Sequence, residues 1–396
     1  MPADSDIAFQ RVLSNFNDCI QNHPACARTV DGLICDEANS LPSRIIDLGG
    51  GPRDTPVLLE TKGVNGKYVA LSYCWGKVSG SPNLETTKST IDGFKKGLPL
   101  ERMPKTIKDA MEITKQMGFR YLWVDRFCII QDDRADWHAE ARKVGRIYEN
   151  AVVTIATVGA KDSGEGCFLP RREECPVVLP LEIGKFFVSL PTAPVDQQTH
   201  QAKQSAWEMK QSIWSTRAWV FQERLFSRRM ILYGREQVLW ECRVHLETES
   251  WFGYDNGSTY KSSKYQYCHN IKHNVNKQIR KAVKGLSGSS SIVSLMSPVW
   301  DDLTLNWGEI IGQYSQLELT YEQDRLPAME ALAQMVQQQT NLEVCAGMWL
   351  GSFPQTLFWW PCWWDESEIE RNGWKFPPLA GAQCPRPVRS SKFQGG

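Results

Sequence analysis

Between residues 68 and 158, three β-rich apolar runs alternate with two segments of helical periodicity, and this alternation constrains the fold more than anything else in the chain. Residues 68–74 (YVALSYC) form the first run. Residues 105–117 follow with Ile107, Ala110, Met111, Ile113 and Thr114 at helical spacing, and Gly118 is their stop signal. Residues 120–131 (RYLWVDRFCIIQ) are nearly continuously apolar, as in a strand covered on both faces. Asp132 and Asp133 cap a second helix, predicted from about Ala135 to Asn150. Residues 151–158 (AVVTIATV) are β-branched and end at Gly159. Strand, helix, strand, helix, strand predicts an α/β fold with a parallel-sheet core and flanking helices on both faces.

The flanking sequence divides around this unit. Residues 1–60 are a lead-in: a short amphipathic helix over 6–27 carrying Cys19, His23 and Cys26, then two short strands around a Gly-Pro turn within 40–61. Residues 160–212 are polar and irregular, and 214–242 offer a helix (WVFQERLFS) followed by a hairpin turning at Gly234. The main domain is therefore bounded at 61–245. A mixed α+β extension, mostly helical, is expected over 246–365. Residues 366–396 are rich in Pro and Gly without periodicity and are expected to form a poorly ordered tail. There is no internal repeat.

Composition excludes several classes of function. Lys plus Arg and Asp plus Glu both number 45, so the net charge is zero and there is no overall electrostatic footprint for nucleic acid. A local basic stretch at 261–284 is expected to be a solvated surface. The first residues lack a basic and apolar leader pattern, and no run reaches the roughly 18 apolar residues of a membrane span. A cytoplasmic protein is expected, with its twelve cysteines as free thiols. Sixteen tryptophans must serve cores or an interface.

One carboxylate stands out. Trp137, Glu140, Val144, Ile147 and Ala151 fall at steps of three and four, which puts Glu140 on the stripe that faces the sheet. An unpaired carboxylate there costs several kcal/mol. Two readings stand: a structural ion pair with Arg126 or Arg217, or a catalytic or ligand-binding acid. Asp125 lies inside an apolar run, near the carboxyl end of its strand, as Ser72 and Trp75 lie near the end of theirs. Functional groups of parallel sheets gather at such ends, so these segments are expected to converge on one crevice. Gln222 and Glu223 add an amide and a carboxylate beside apolar residues. Cys19, His23 and Cys26 invite a zinc reading but lack an obvious fourth ligand, so no metal is assigned. There is no P-loop, no dinucleotide-binding glycine pattern and no nucleophile elbow.

Taken together, YVALSYCWG (68–76), residues 98–133, the helix from Glu140 to Ala151, and STRAWVFQERLFSRRMILYGREQVLWEC (215–242) resemble, in order and spacing, the fungal heterokaryon incompatibility (HET) domain. The resemblance extends over roughly 15–360. It implies a role in fungal nonself recognition ending in programmed cell death, and a fold remotely like TIR domains. Some TIR domains cleave NAD with a helix-borne glutamate. By that analogy Glu140 and Asp125 are the catalytic candidates, and Ser72, Trp75, Gly76, Trp123, Gln131, Gln222 and Glu223 are the binding candidates. NAD enters as a substrate and no cofactor is assigned. The alternative is a non-enzymatic death-signalling module acting through homotypic self-association or an incompatibility partner protein. One departure stands out: the family pattern C-I-N-Q is here Cys128-Ile129-Ile130-Gln131, with an aliphatic in place of an amide.

Overall fold

Eight strands build one mixed sheet in this computed structural model, which describes residues 3–29, 39–51, 54–76, 84–171, 176–181, 184–189, 209, 211–244, 246–248, 310–340, 344–345 and 348–349. The strands are β1 (Arg44–Asp47), β2 (Val57–Glu60), β3 (Tyr68–Ser72), β4 (Tyr121–Trp123), β5 (Val153–Ala156), β6 (Arg229–Tyr233), β7 (Val238–Cys242) and β8 (Leu246–Thr248). Their spatial order is β8-β7-β6-β5-β3-β4-β1-β2. The middle pairs, β6·β5, β5·β3 and β3·β4, are parallel. Every other pair is antiparallel: β1 on β4 and β2 at one side, β7 on β6 and β8 at the other. The sheet is thus mixed rather than parallel throughout. For β6 and β7 a short connection explains this, since a tight turn such as that at Gly234, whose N–H donates to the Gln237 carbonyl, can join only antiparallel neighbours.

Every residue of β3, β5 and β6 is buried, so both faces are covered. Helices α1 (Asp6–Asn22), α2 (Lys105–Gln116), α3 (Asp125–Cys128), α4 (Arg134–Ala141), α5 (Val144–Asn150), α6 (Ala218–Phe226) and α7 (Pro327–Thr340) are the principal ones. α2 packs on β3 and β4, α1 packs on β7, and α5, α6 and α7 pack on one another. α2 buries Ile107, Ala110, Met111, Ile113 and Thr114, as its spacing predicts, and Gly118 follows it in left-handed geometry (φ 80°).

Three expectations need correction. The run 120–131 is not one strand. β4 spans only Tyr121–Trp123, and the chain then turns into α3 at Asp125. The Asp125 carboxylate accepts the Arg126 N–H at 2.7 Å, a local bond that competes with ladder pairing and draws the chain out of the sheet. The predicted helix over 135–150 is two helices, α4 and α5, separated at Arg142 and Lys143. The region 160–212 contains an antiparallel hairpin, Pro176–Leu181 with Gly184–Ser189. The basic stretch 261–284, most of the C-terminal extension and the tail 366–396 lie outside the described residues. Among the described residues, no helix is long and apolar enough to cross a membrane.

The chain runs from β3 outward to β4, then returns across the sheet to β5 on the other side of β3 and continues to β6. The order reverses between β3 and β5, and open α/β sheets bind ligands outside the carboxyl ends of strands at such a reversal. Ser72 is the last residue of β3 and pairs with Ala156, the last of β5.

Candidate functional site

Ser72, Tyr73, Trp75, Asp125, Arg126, Tyr148, Trp214, Arg217 and Glu223 meet at this reversal. Ser72 donates from Oγ to the Glu223 carboxylate and accepts the Trp214 indole N–H at 2.7 Å. Glu223 reaches it from α6, and Trp214 from the helical turn Ile213–Thr216 just before. Arg217 joins these two elements and donates from Nη1 to the Tyr73 carbonyl at 2.6 Å. On the β4 side, Trp75 Nε1 donates to Asp125 Oδ2 at 2.7 Å, and the Arg126 guanidinium lies 4.5 Å from the Trp75 ring centroid. Tyr148 of α5 donates its hydroxyl to the Leu71 carbonyl at 2.9 Å. Gly76 has φ 62, and a Cβ there would stand 2.1 Å from Cβ of Asp162, so only glycine lets the two loops approach.

The two carboxylates are densely enclosed, yet solvent still touches part of each residue. Burial pushes Glu223 up to about 7; the Ser72 hydrogen bond and the Arg217 charge pull it down, while the Asp125 charge pushes it further up. Burial also raises Asp125, against the Trp75 and Arg126 N–H donors. Tyr73 is raised by burial and then by the Asp125 charge. The hydrogen bond of Arg217 goes to a backbone carbonyl, and the buried Nε of Arg126 has no hydrogen-bond partner. The cluster therefore holds an acid that changes protonation near neutrality, a second carboxylate, a hydroxyl, an indole and two guanidiniums. Such a set can bind an anionic group and move a proton at a neighbouring atom.

The other sequence candidates are placed as follows. Glu140 is buried, as its spacing predicts, but its partner is neither Arg126 nor Arg217. Its Oε1 accepts from Ser43 Oγ at 2.8 Å and from Lys143 Nζ at 2.8 Å, while Oε2 has no partner. The break between α4 and α5 puts Lys143, one turn on, within reach of the carboxylate. A cleft of about 670 Å³ lies beside these partners, lined by Ser43, Arg44, Tyr68, Lys143, Arg146 and others, and neither Glu140 nor Glu223 lines it. Trp123 is a core residue packed edge-on against Tyr148 at 5.6 Å. Gln131 braces α3 by donating to the carbonyls of Asp125 and Ile129. Gln222 is buried and donates to the Pro327 carbonyl at 3.4 Å, towards α7. Ile130, which stands where the family pattern has an amide, packs against the core, and its N–H donates to Asp136 at 2.9 Å. Arg217, Tyr73, Tyr148 and Trp214 carried no sequence signal as site residues. An arginine at an irregular helix junction and tryptophan or tyrosine in apolar runs look like ordinary core until the sheet places them.

Residues 68–223 match the family model described as heterokaryon incompatibility protein (HET). Over 98 residues the chain is 26% identical to heterokaryon incompatibility protein 6, OR allele, of Neurospora crassa. That match covers 23% of this chain and 14% of the relative's length. No solved structure matches. The matched segment runs from the first residue of β3 to Glu223, and so encloses the whole cluster at the strand reversal.

Proposed function

We propose that the chain, whose residues 68–223 match the heterokaryon incompatibility (HET) family model, acts in fungal nonself recognition and triggers programmed cell death by TIR-like cleavage of NAD at the cluster on the strand reversal. The observation that carries this reading is the pairing of Glu223, held near 7, with Asp125 beside Ser72. Breaking a glycosidic bond passes through an oxocarbenium-like centre, which an adjacent carboxylate stabilises while a group titrating near neutrality handles the proton. Arg126 and Arg217 supply positive charge for the pyrophosphate, and Trp75 offers an indole for stacking. In this reading Glu223 is the acid at the reaction centre and Asp125 its electrostatic neighbour. Glu140, bonded to Ser43 and Lys143, is a structural partner.

A second reading, a non-enzymatic death-signalling module that works by self-association or by binding an incompatibility partner, draws on Asp125. Both of its oxygens already accept hydrogen bonds from the protein, as a structural brace would. Incubating purified protein with NAD and measuring nicotinamide release separates the two. The catalytic reading expects turnover in the wild type, loss of about 100-fold or more in Glu223→Gln, and near-unchanged turnover in Glu140→Gln, with all proteins equally folded by circular dichroism. The opposite pattern moves the centre to Glu140, and no turnover in wild type favours the signalling module.

A further inference from the structure

The lead-in, which the HET match does not include, contributes to a second cluster. Cys19 lies in the last turn of α1, His23 caps that helix, and Cys26 ends the short helical turn that follows. The sequence offers no fourth ligand nearby, but the fold delivers one: Cys242, the last residue of β7. One ligand atom from each of these four residues lies within 4.8 Å of all the others. Cys242 Sγ and His23 Nδ1 are 3.6 Å apart, close to the roughly 3.5 Å that two zinc bonds of about 2.3 and 2.0 Å subtend at a tetrahedral angle. The three thiols are buried and none is in a disulfide.

We propose that Cys19, His23, Cys26 and Cys242 form a closed, tetrahedral structural zinc site that fastens the N-terminal helix to the sheet. Three thiolates and one imidazole with no open position make up a structural rather than a catalytic zinc set, and the soft sulfur donors select zinc over magnesium or calcium. The surroundings fit. His23 presents its other nitrogen, Nε2, to the Asp18 carboxylate at 3.8 Å, the kind of outer partner that orients a ligating histidine. The Val244 N–H donates to Cys242 Sγ at 3.3 Å, and Arg229 Nε donates to Cys19 Sγ at 3.2 Å. Three thiolates, a neutral histidine and Zn²⁺ sum to one negative charge, which the Arg229 guanidinium balances. All four ligands lie outside 68–223, so the site belongs to this chain's assembly of the domain with its flanks.

The test uses the full chain, expressed in zinc-supplemented medium, purified under reducing conditions and assayed for metal by inductively coupled plasma mass spectrometry. About one zinc per chain is expected, with about tenfold less in Cys242→Ser. Zinc-edge X-ray absorption of the wild type should give three sulfur neighbours and one nitrogen. Because Cys242→Ser can lose zinc by failing to fold, His23→Cys provides a second variant that should keep zinc with four sulfurs. Exchange of cobalt(II) into wild type should give the intense visible bands of tetrahedral thiolate coordination. Wild type without stoichiometric zinc, undiminished zinc in Cys242→Ser, or disulfides among these cysteines in the freshly purified protein would overturn the proposal. None of these readouts depends on NAD cleavage.

Discussion

At Glu223 burial and hydrogen bonding pull in opposite directions, and burial wins. A carboxyl that holds its proton more tightly in the folded chain than in the unfolded chain stabilises the fold at low pH. Its contribution is complete below its ordinary value of 4.5 and is lost as the pH rises through about 7. The difference corresponds to at most about 3 kcal/mol, reduced by the solvent that still reaches the residue. Glu223→Gln should therefore flatten the dependence of the urea midpoint on pH between 4.5 and 7; a profile identical to wild type would refute the assignment. Ser72→Ala removes a donor to Glu223 and the acceptor of the Trp214 N–H, and should cost about 2 kcal/mol or more. It should also move the Glu223 titration higher, since the Ser72 bond lowers it. Glu140→Gln keeps an acceptor for Ser43 and Lys143 but loses the ion pair, so about 1 kcal/mol and a fall of about 2–4 °C in Tm are expected. The oddity of Glu140 was legible from helical spacing, and so was its burial. The environment of Glu223 was not, because it comes from burial and from Ser72 and Asp125 on other segments.

At the scale of elements, α5 is held by close approach. A Cβ on Gly145 would stand 2.6 Å from Cβ of Ala331 in α7 and 3.1 Å from the Phe226 ring of α6. Gly145→Val should force these helices apart and cost about 1–3 kcal/mol, read as a lower urea midpoint. A loss no larger than that of an exposed helical glycine would mean that the helices part freely. α2 was fully legible, since five apolar positions at helical spacing and a following glycine leave one solution. The run 120–131 was misleading because apolar residues fit a buried helical turn as well as a buried strand. Asp125, bonding its neighbour's N–H, decided between them. The split between α4 and α5 carries no proline, and a continuous periodic stripe concealed it.

For the molecule as a whole, the family match and the folding unit do not coincide. Residues 68–223 supply β3, β4 and β5, three adjacent strands of an eight-stranded sheet, while β1 and β2 come from before them and β6, β7 and β8 from after. A fragment of 68–223 would expose both edges of its sheet and the apolar surface that β6 and α1 cover. Expressed alone it should be insoluble or bind hydrophobic dye, whereas a chain retaining the flanking strands should unfold cooperatively in calorimetry. Phe16 of α1 stacks edge-on with Phe119 at 5.9 Å and with Trp240 at 6.3 Å, so Phe16→Ala should cost about 3–4 kcal/mol although it lies outside the matched segment.

By itself the sequence determined the alternation of strands and helices around 68–158, the buried position of Glu140, and the motifs that resemble a HET domain. These are local properties: period, turn residues and short blocks, each readable within a few residues. Only the tertiary structure decided that the sheet is mixed, that Ser72 bonds Glu223, and that Cys242 completes the set begun by Cys19, His23 and Cys26. Such pairings join residues far apart in the chain, and what selects them is the order of strands in the sheet, which no local pattern encodes.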